Sequence, residues 1–326
     1  HSTRRRQRQM CIRDRTNSFS FNFKMQFPKL GISLRSLKRD GSDFSERVNE
    51  VSNYNPFSIE LMGFAQDLIF NGNLNQQRID ILNQELERFS GKKTFHGPMV
   101  VNFLDKKDNL KDYEKLTQSY IDLTRKLNAE KIIIHTGFCD NDSDESLKQK
   151  YSIQRDYLKR IGDYAAERNV IICVENIFPF SHSYHTALPS KLSEEINTIN
   201  HENVSACFDV SHAYICCNIY QADFLENSMN LGGISDHWHV HDSFGKLNYD
   251  YLKATKSEAL SLGNGDLHLA VGDGSIPWKQ IISNTKIKSD TVFNIELNPE
   301  LWFDLEKCVN STLELIEFSK DKSISK

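Results

Sequence analysis

Between Lys29 and Glu296 the chain repeats one pattern eight times: a short β-branched or apolar run, then a longer stretch of helical period, with no Pro/Gly/Ser-rich linker to divide it. The runs are LGISL near Leu30, FSIELM near Ile59, KTFHG near Phe95, KIIIH ending at His135, VIICVE ending at Glu175, VSACFD ending at Asp209, HWHVHD around His239 and TVFNIE ending at Glu296. In the intervening LKDYEKLTQSYIDLTRKL, Leu110, Tyr113, Leu116, Tyr120, Leu123 and Leu127 form one apolar stripe, with Lys111, Glu114 and Arg125 opposite. QRDYLKRIGDYAAERN behaves the same way and stops at Asn169, just before a strand. Eight strands close a barrel, so the expected fold is a single-domain α/β (β/α)8 TIM barrel. An open doubly wound sheet would show the same alternation, and the positions of the polar residues favour the barrel.

Nearly every run finishes on a residue able to hold a metal: His96, His135, Glu175, Asp209, His239 or His241, and Glu296. In a barrel all these ends open into one bowl. A lone histidine at a strand end is usually a satisfied core or capping group. Six such ends together are different, because several carboxylates and imidazoles buried at one mouth are strongly unfavourable unless cations compensate them. Nitrogen and oxygen donors without cysteine suit Zn2+ or Mn2+, and a carboxylate-rich subset also accepts Mg2+. Cys173 and Cys207 each lie two residues before a candidate ligand, one layer deeper, and are read as barrel packing. His212 follows Asp209 by three residues and returns toward the bowl if the strand turns directly into a helix. Asp266 and His268 are spaced to clamp one ion, while Gly272 and Gly274 let the chain turn before Pro277 opens a helix.

Residues 1–15 hold six arginines against one acid, and residues 1–24 show no structural period. A nucleic-acid arm and a transit peptide are alternatives for this tail. The expectation is a disordered or non-native segment, with translation beginning at Met25 and the barrel spanning 25–326. Without residues 1–15 the balance is 34 basic to 43 acidic residues, a net of −9, which argues against a broad phosphate-backbone footprint. No apolar run approaches the length of a membrane span. Seven cysteines, two of them adjacent at Cys216 and Cys217, form no disulfide framework, so a reduced, cytoplasmic setting is expected.

The segments FHGPM, IIIHTG, ICVENIF, CFDVSHAY, HVHDSFG, DLHLAVGDGSIPW and FNIELNP, in this order and each at a strand end, resemble the xylose isomerase-like TIM barrel superfamily over about residues 29–318. That superfamily includes the sugar phosphate isomerases/epimerases and endonuclease IV. The isomerase/epimerase branch implies one divalent ion on Glu175, Asp209, His239 and Glu296. It also implies proton transfer next to a sugar carbonyl by Glu175 and Glu296, and a His212 that orients substrate oxygens. The endonuclease branch implies three zinc ions. His96, His135 and Glu175 would hold the first, Glu175, Asp209, His239 and Glu296 the second, and His212, Asp266 and His268 the third. His241 is expected on the strand face opposite His239, in a supporting role at most.

Bulky NIFPFSHSYH after Glu175 and the long insertion SFGKLNYDYLKATKSEALSLGNG after Asp242 depart from endonuclease IV. The insertion looks like a lid over a small ligand, and its Lys246, Lys253 and Lys256 could meet a phosphate. The expected function is therefore metal-dependent sugar or sugar phosphate isomerisation or epimerisation, on a small-molecule substrate rather than nucleic acid. The alternatives are a multi-zinc phosphodiesterase and a carbohydrate-binding barrel without turnover. Substrate identity resides in loops 138–150, 176–190 and 243–265, and self-association into a homo-oligomer is left open.

Overall fold

The computed structural model describes residues 27–247 and 255–324. The N-terminal tail and Lys253 lie outside the described residues. Eight parallel strands close into a barrel: β1 (Lys29–Leu34), β2 (Ser58–Met62), β3 (Lys92–His96), β4 (Lys131–His135), β5 (Ile171–Glu175), β6 (Val204–Asp209), β7 (His237–Val240) and β8 (Val292–Ile295). Each pairs with its neighbours in sequence, and β1 pairs with β8 to complete the ring. All eight expected strands are present, so the barrel stands and the open sheet does not.

The helices are α1 (Phe44–Ser52), α2 (Gln76–Leu86), α3 (Lys107–Lys126), α4 (Asp144–Ala166), α5 (Pro189–Ile199), α6 (Val210–Tyr220), α7 (Phe224–Gly232), α8 (Lys256–Leu262), α9 (Trp278–Asn284) and α10 (Leu305–Ile324). Local chemistry fixes their ends. Asn75, Ser143, Asp209 and Asp223 cap the N-termini of α2, α4, α6 and α7 with side-chain oxygens. Asn128, Asn169 and Asn200, which follow α3, α4 and α5, take left-handed φ values of 54°, 54° and 46° and turn the chain into the next strand. None of the described helices is long and apolar enough to cross a membrane.

Strand alternation divides the side chains into two populations. Outward residues such as Ile59, Leu61, Phe95, Ile132, Ile134, Phe208 and Trp238 join the main core under the helices. Inward residues are mostly polar, and Ile133, Cys173 and Cys207 form a small separate apolar cluster inside the barrel. The two cysteines thus pack as expected, and burial keeps both thiols well up from their usual pKa. All six described cysteines are free and buried.

Near the floor of the barrel the walls come close to β1. A Cβ on Gly31 would lie 2.7 Å from both Asn294 Oδ1 and Val292 Cγ1 and 2.9 Å from Ser58 Oγ. Gly31→Ala is therefore expected to destabilise the fold by about 1–3 kcal/mol through overpacking. A lowered midpoint in urea unfolding checks this, and an unchanged midpoint refutes it.

Two short pairings arise that periodicity does not announce, because strands of two or three residues carry too little pattern. Residues 69–70 pair with 73–74, and Phe138–Asp140 pairs antiparallel with Tyr184–Thr186. The second ties the loop after β4 to the loop after β5 and braces one wall of the bowl.

Candidate metal centre and substrate cavity

At the C-terminal mouth of the barrel, β3, β4, β5 and β6 end on His96, His135, Glu175 and Asp209. His239 lies one residue before the end of β7, and Glu296 one residue beyond β8. All six are buried. His239 Nδ1 is 3.2 Å from Glu175 Oε1, 3.4 Å from Glu296 Oε2 and 3.8 Å from Asp209 Oδ2, so four donors from four strands converge. Beside them, His96 Nε2 and His135 Nε2 each stand 3.4 Å from Glu175 Oε2.

A second cluster adjoins the first. Asp209 Oδ1 caps α6 by accepting the His212 backbone N–H at 2.7 Å, which swings the His212 ring over the bowl. Asp266 Oδ2 then lies 3.0 Å from His212 Nε2 and 2.8 Å from His268 Nε2. All nine residues singled out from the sequence are thereby gathered at one mouth.

His241 corrects the expectation made for it. Residues two apart on a strand share a face, so His241 follows His239 inward rather than opposing it. Its Nε2 is 2.9 Å from Asp209 Oδ2, its ring stacks on His268 at 3.9 Å between centroids, and its Nδ1 is 3.8 Å from Asp266 Oδ1. His212, His241, Asp266 and His268 form one group with metal-ligand spacing.

The donor chemistry fits a divalent cation. Glu175 Oε2 is buried without a hydrogen-bond partner among the described residues, a costly arrangement for a carboxylate oxygen. Burial pushes the Glu175 pKa up, but His239 and His135 outweigh it and hold the carboxyl well below its usual range. Asp209 is likewise lowered, against burial, by His212 and His241. Burial, opposed by Glu175 and helped by His96, drives His135 down to about 4, which leaves a neutral imidazole with a lone pair to offer. The converging set of three carboxylates and one imidazole is what a hard or borderline divalent ion takes.

Sequence reasoning missed two supporting residues. Glu60, midway along β2, is fully buried in the barrel and contacts His237 and His239. The signal was available: a lone acid in the apolar strand FSIELM, on the inward face by alternation. Asp242, just past β7, accepts from the backbone N–H groups of Ser243, Gly272 and Ile276 and from Trp278 Nε1 at 2.9, 2.8, 3.3 and 2.9 Å. It anchors the segment that carries Asp266 and His268. Gly272, at a φ of 96°, makes the turn, and Gly274 leaves no room for a Cβ, which would meet Asp242 Oδ1 at 2.2 Å. Asp242→Ala strands these buried donors and is expected to cost about 3 kcal/mol. Thermal denaturation checks it, and a melting point equal to that of the unsubstituted protein contradicts the anchoring role.

Above the mouth lies a cavity of about 1290 Å3. Its floor includes His96, His135, Glu175, His212 and Glu296, whereas Asp209 and His239 sit beneath that surface. Phe178 and Phe180, from the bulky segment after Glu175, line the wall; Phe178 meets His212 edge-on at 5.2 Å and Phe180 meets Phe138 at 4.9 Å. The insertion after Asp242 contributes Leu247 and residues of α8 to the same cavity. Of its two described lysines, Lys246 donates to the Leu262 carbonyl at 3.1 Å, and Lys256 lines the cavity paired with Glu300, which lines it too.

The architecture and its mouth define a (β/α)8 barrel with a histidine- and carboxylate-rich centre. The chain belongs to the xylose isomerase-like TIM barrel family, whose sequence profile matches residues 56–309. No curated protein sequence matches it. Among solved structures, a D-tagatose 3-epimerase-like protein is 18% identical with a TM-score of 0.64, covering 91% of this chain and 99% of its own. The IolI protein with a bound zinc atom is 15% identical with a TM-score of 0.60, covering 91% and 97%. The apo 3-keto-D-glucoside 4-epimerase YcjR from E. coli is 12% identical with a TM-score of 0.58, covering 88% and 98%. Identities at this level establish the shared fold.

Proposed function

We propose that the protein is a metal-dependent sugar or sugar phosphate isomerase/epimerase that moves a proton on the carbon next to a carbonyl. The carrying observation is the split within the four-donor set. Glu175 and Glu296 border the cavity, whereas Asp209 and His239 do not, and of the four only Glu296 keeps any exposed surface, at 5%. Two of the four candidate ligands therefore border the space a substrate would fill, and they come from separate strands of the barrel, β5 and the end of β8.

A divalent ion, Mn2+, Mg2+ or Zn2+, held by Glu175, Asp209, His239 and Glu296 would polarise the carbonyl and acidify the adjacent C–H. One of the two glutamates then takes that proton as general base, and the other returns a proton as general acid on the opposite face. His212 lines the cavity wall with Nδ1 on the Asn176 carbonyl and Nε2 on Asp266, each at 3.0 Å, and would orient a substrate oxygen by exchanging one of these contacts for it. The aromatic wall of Phe178 and Phe180 offers a surface for the apolar faces of a sugar ring. The D-tagatose 3-epimerase-like protein and the 3-keto-D-glucoside 4-epimerase share this barrel, which supports the choice of substrate class.

A second reading, a multi-zinc phosphodiesterase, draws on the His212, His241, Asp266 and His268 cluster, whose donors suit zinc. The aromatic cavity and the acidic balance of the chain argue against a duplex substrate. Incubating the Mn2+-loaded protein with a panel of ketoses and ketose phosphates in D2O separates the two. The sugar reading predicts deuterium at the carbon beside the carbonyl. No exchange across the panel, together with nicking of an abasic-site plasmid, would replace it with the phosphodiesterase.

A further inference from the structure

We propose that Glu60 is a positioning residue that fixes the ring orientation and proton placement of His239, so that His239 Nδ1 faces the three carboxylates as a ligand. The proposal rests on the metal-ion reading of that same site. Glu60 stands on β2, on the far side of the barrel lumen from β7, and neither end of its strand places it at the mouth. Its side chain is fully buried.

Three groups meet it. His239 Nε2 is 2.9 Å from Oε1, His237 Nε2 is 2.8 Å from Oε2, and Thr94 Oγ1, the register partner of Glu60 on β3, donates to Oε2 at 2.9 Å. An ionised carboxylate only accepts, so both imidazoles must present Nε2–H to it. For His239 that choice leaves Nδ1 to the upper side, where Glu175, Glu296 and Asp209 converge. His237 acts as the second strut: it holds Oε2 so that Oε1 stays aimed at His239. A carboxylate behind a ligating histidine also raises the basicity of the ring and fixes its direction, and removing one typically costs 10–100-fold in metal affinity. Here that carboxylate comes from the opposite wall of the barrel, so metal affinity depends on strand closure and not only on the residues at the mouth.

The test uses full-length protein labelled with 15N-histidine, with and without Zn2+. Two slowly exchanging ring N–H signals are expected, assigned to Nε2 of His237 and His239, each showing hydrogen bonding to a carboxylate. In Glu60→Gln the His239 signal should shift or broaden, and affinity for Zn2+ and for Mn2+ should fall 10–100-fold. A His239 protonated on Nδ1 in the Zn2+-bound protein overturns the proposal, as does a Glu60→Gln protein of unchanged affinity. If Glu60→Gln does not fold, the ring signals of the unsubstituted protein decide alone, since they need no variant. If the unsubstituted protein binds no divalent ion, the functional reading fails separately, and the ring signals still report whether Glu60 holds the histidines.

Discussion

Glu296→Gln is expected to lower kcat by about 10²- to 10⁴-fold, the usual contribution of a positioned acid or base, with sugar affinity kept in its original range. Glu296 faces the cavity, lies 3.4 Å from His239 Nδ1 and follows β8, so its backbone is held by the barrel rather than by a loose loop. Glutamine keeps the shape and one carbonyl oxygen for an ion but cannot carry a proton. Metal content of the variant, measured beside its turnover, separates loss of the shuttle from loss of the ion. Intact turnover would remove Glu296 from the proposed role.

Chelation should abolish turnover altogether and also soften the fold. Glu175, Asp209 and Glu296 crowd one imidazole in a buried mouth, and on the proposed reading their mutual repulsion would be relieved by a cation bound to the folded state only. Adding Mn2+ or Zn2+ back at a hundredfold excess over Kd should stabilise the chelated protein by about 2.7 kcal/mol. For a domain of this size that corresponds to a rise in Tm of roughly 5 °C. A melting curve indifferent to both chelator and metal would mean that the converging carboxylates are compensated by the histidines alone.

The barrel was legible in the sequence because its signal is redundant. Each strand is a short apolar run, each is followed by a helix, and the polar residue at the end of six of the eight runs marks the mouth. KIIIH and VIICVE carry all three signals within a few residues. His96, His135, Glu175, Asp209, His239 and Glu296 were readable for the same reason, since strand position fixes where a terminal side chain points. His212, Asp266 and His268 were readable through spacing and through the resemblance to a known family.

What was hidden depends on contacts between distant strands. Glu60 and His237 are 177 residues apart, and only closure of the barrel brings them together at 2.8 Å. Asp242 holds three backbone N–H groups, one its own neighbour's and two from around thirty residues downstream, a role that leaves no mark on its own strand. His241 was placed on the wrong face although alternation itself sets it beside His239. The shape of the cavity wall was also illegible, because the pairing of Phe138–Asp140 with Tyr184–Thr186 joins two loops by segments too short to show a period.

Nuclearity tests the central claim most directly, since the sugar chemistry needs one ion at the four-donor set and the phosphodiesterase needs three. The measurement is metal content per chain in protein purified without chelator, run beside an abasic-site plasmid assay. One exchangeable divalent ion, Mn2+ or Mg2+, and an intact plasmid is the predicted result. Three tightly held zinc ions with a nicked plasmid would contradict it.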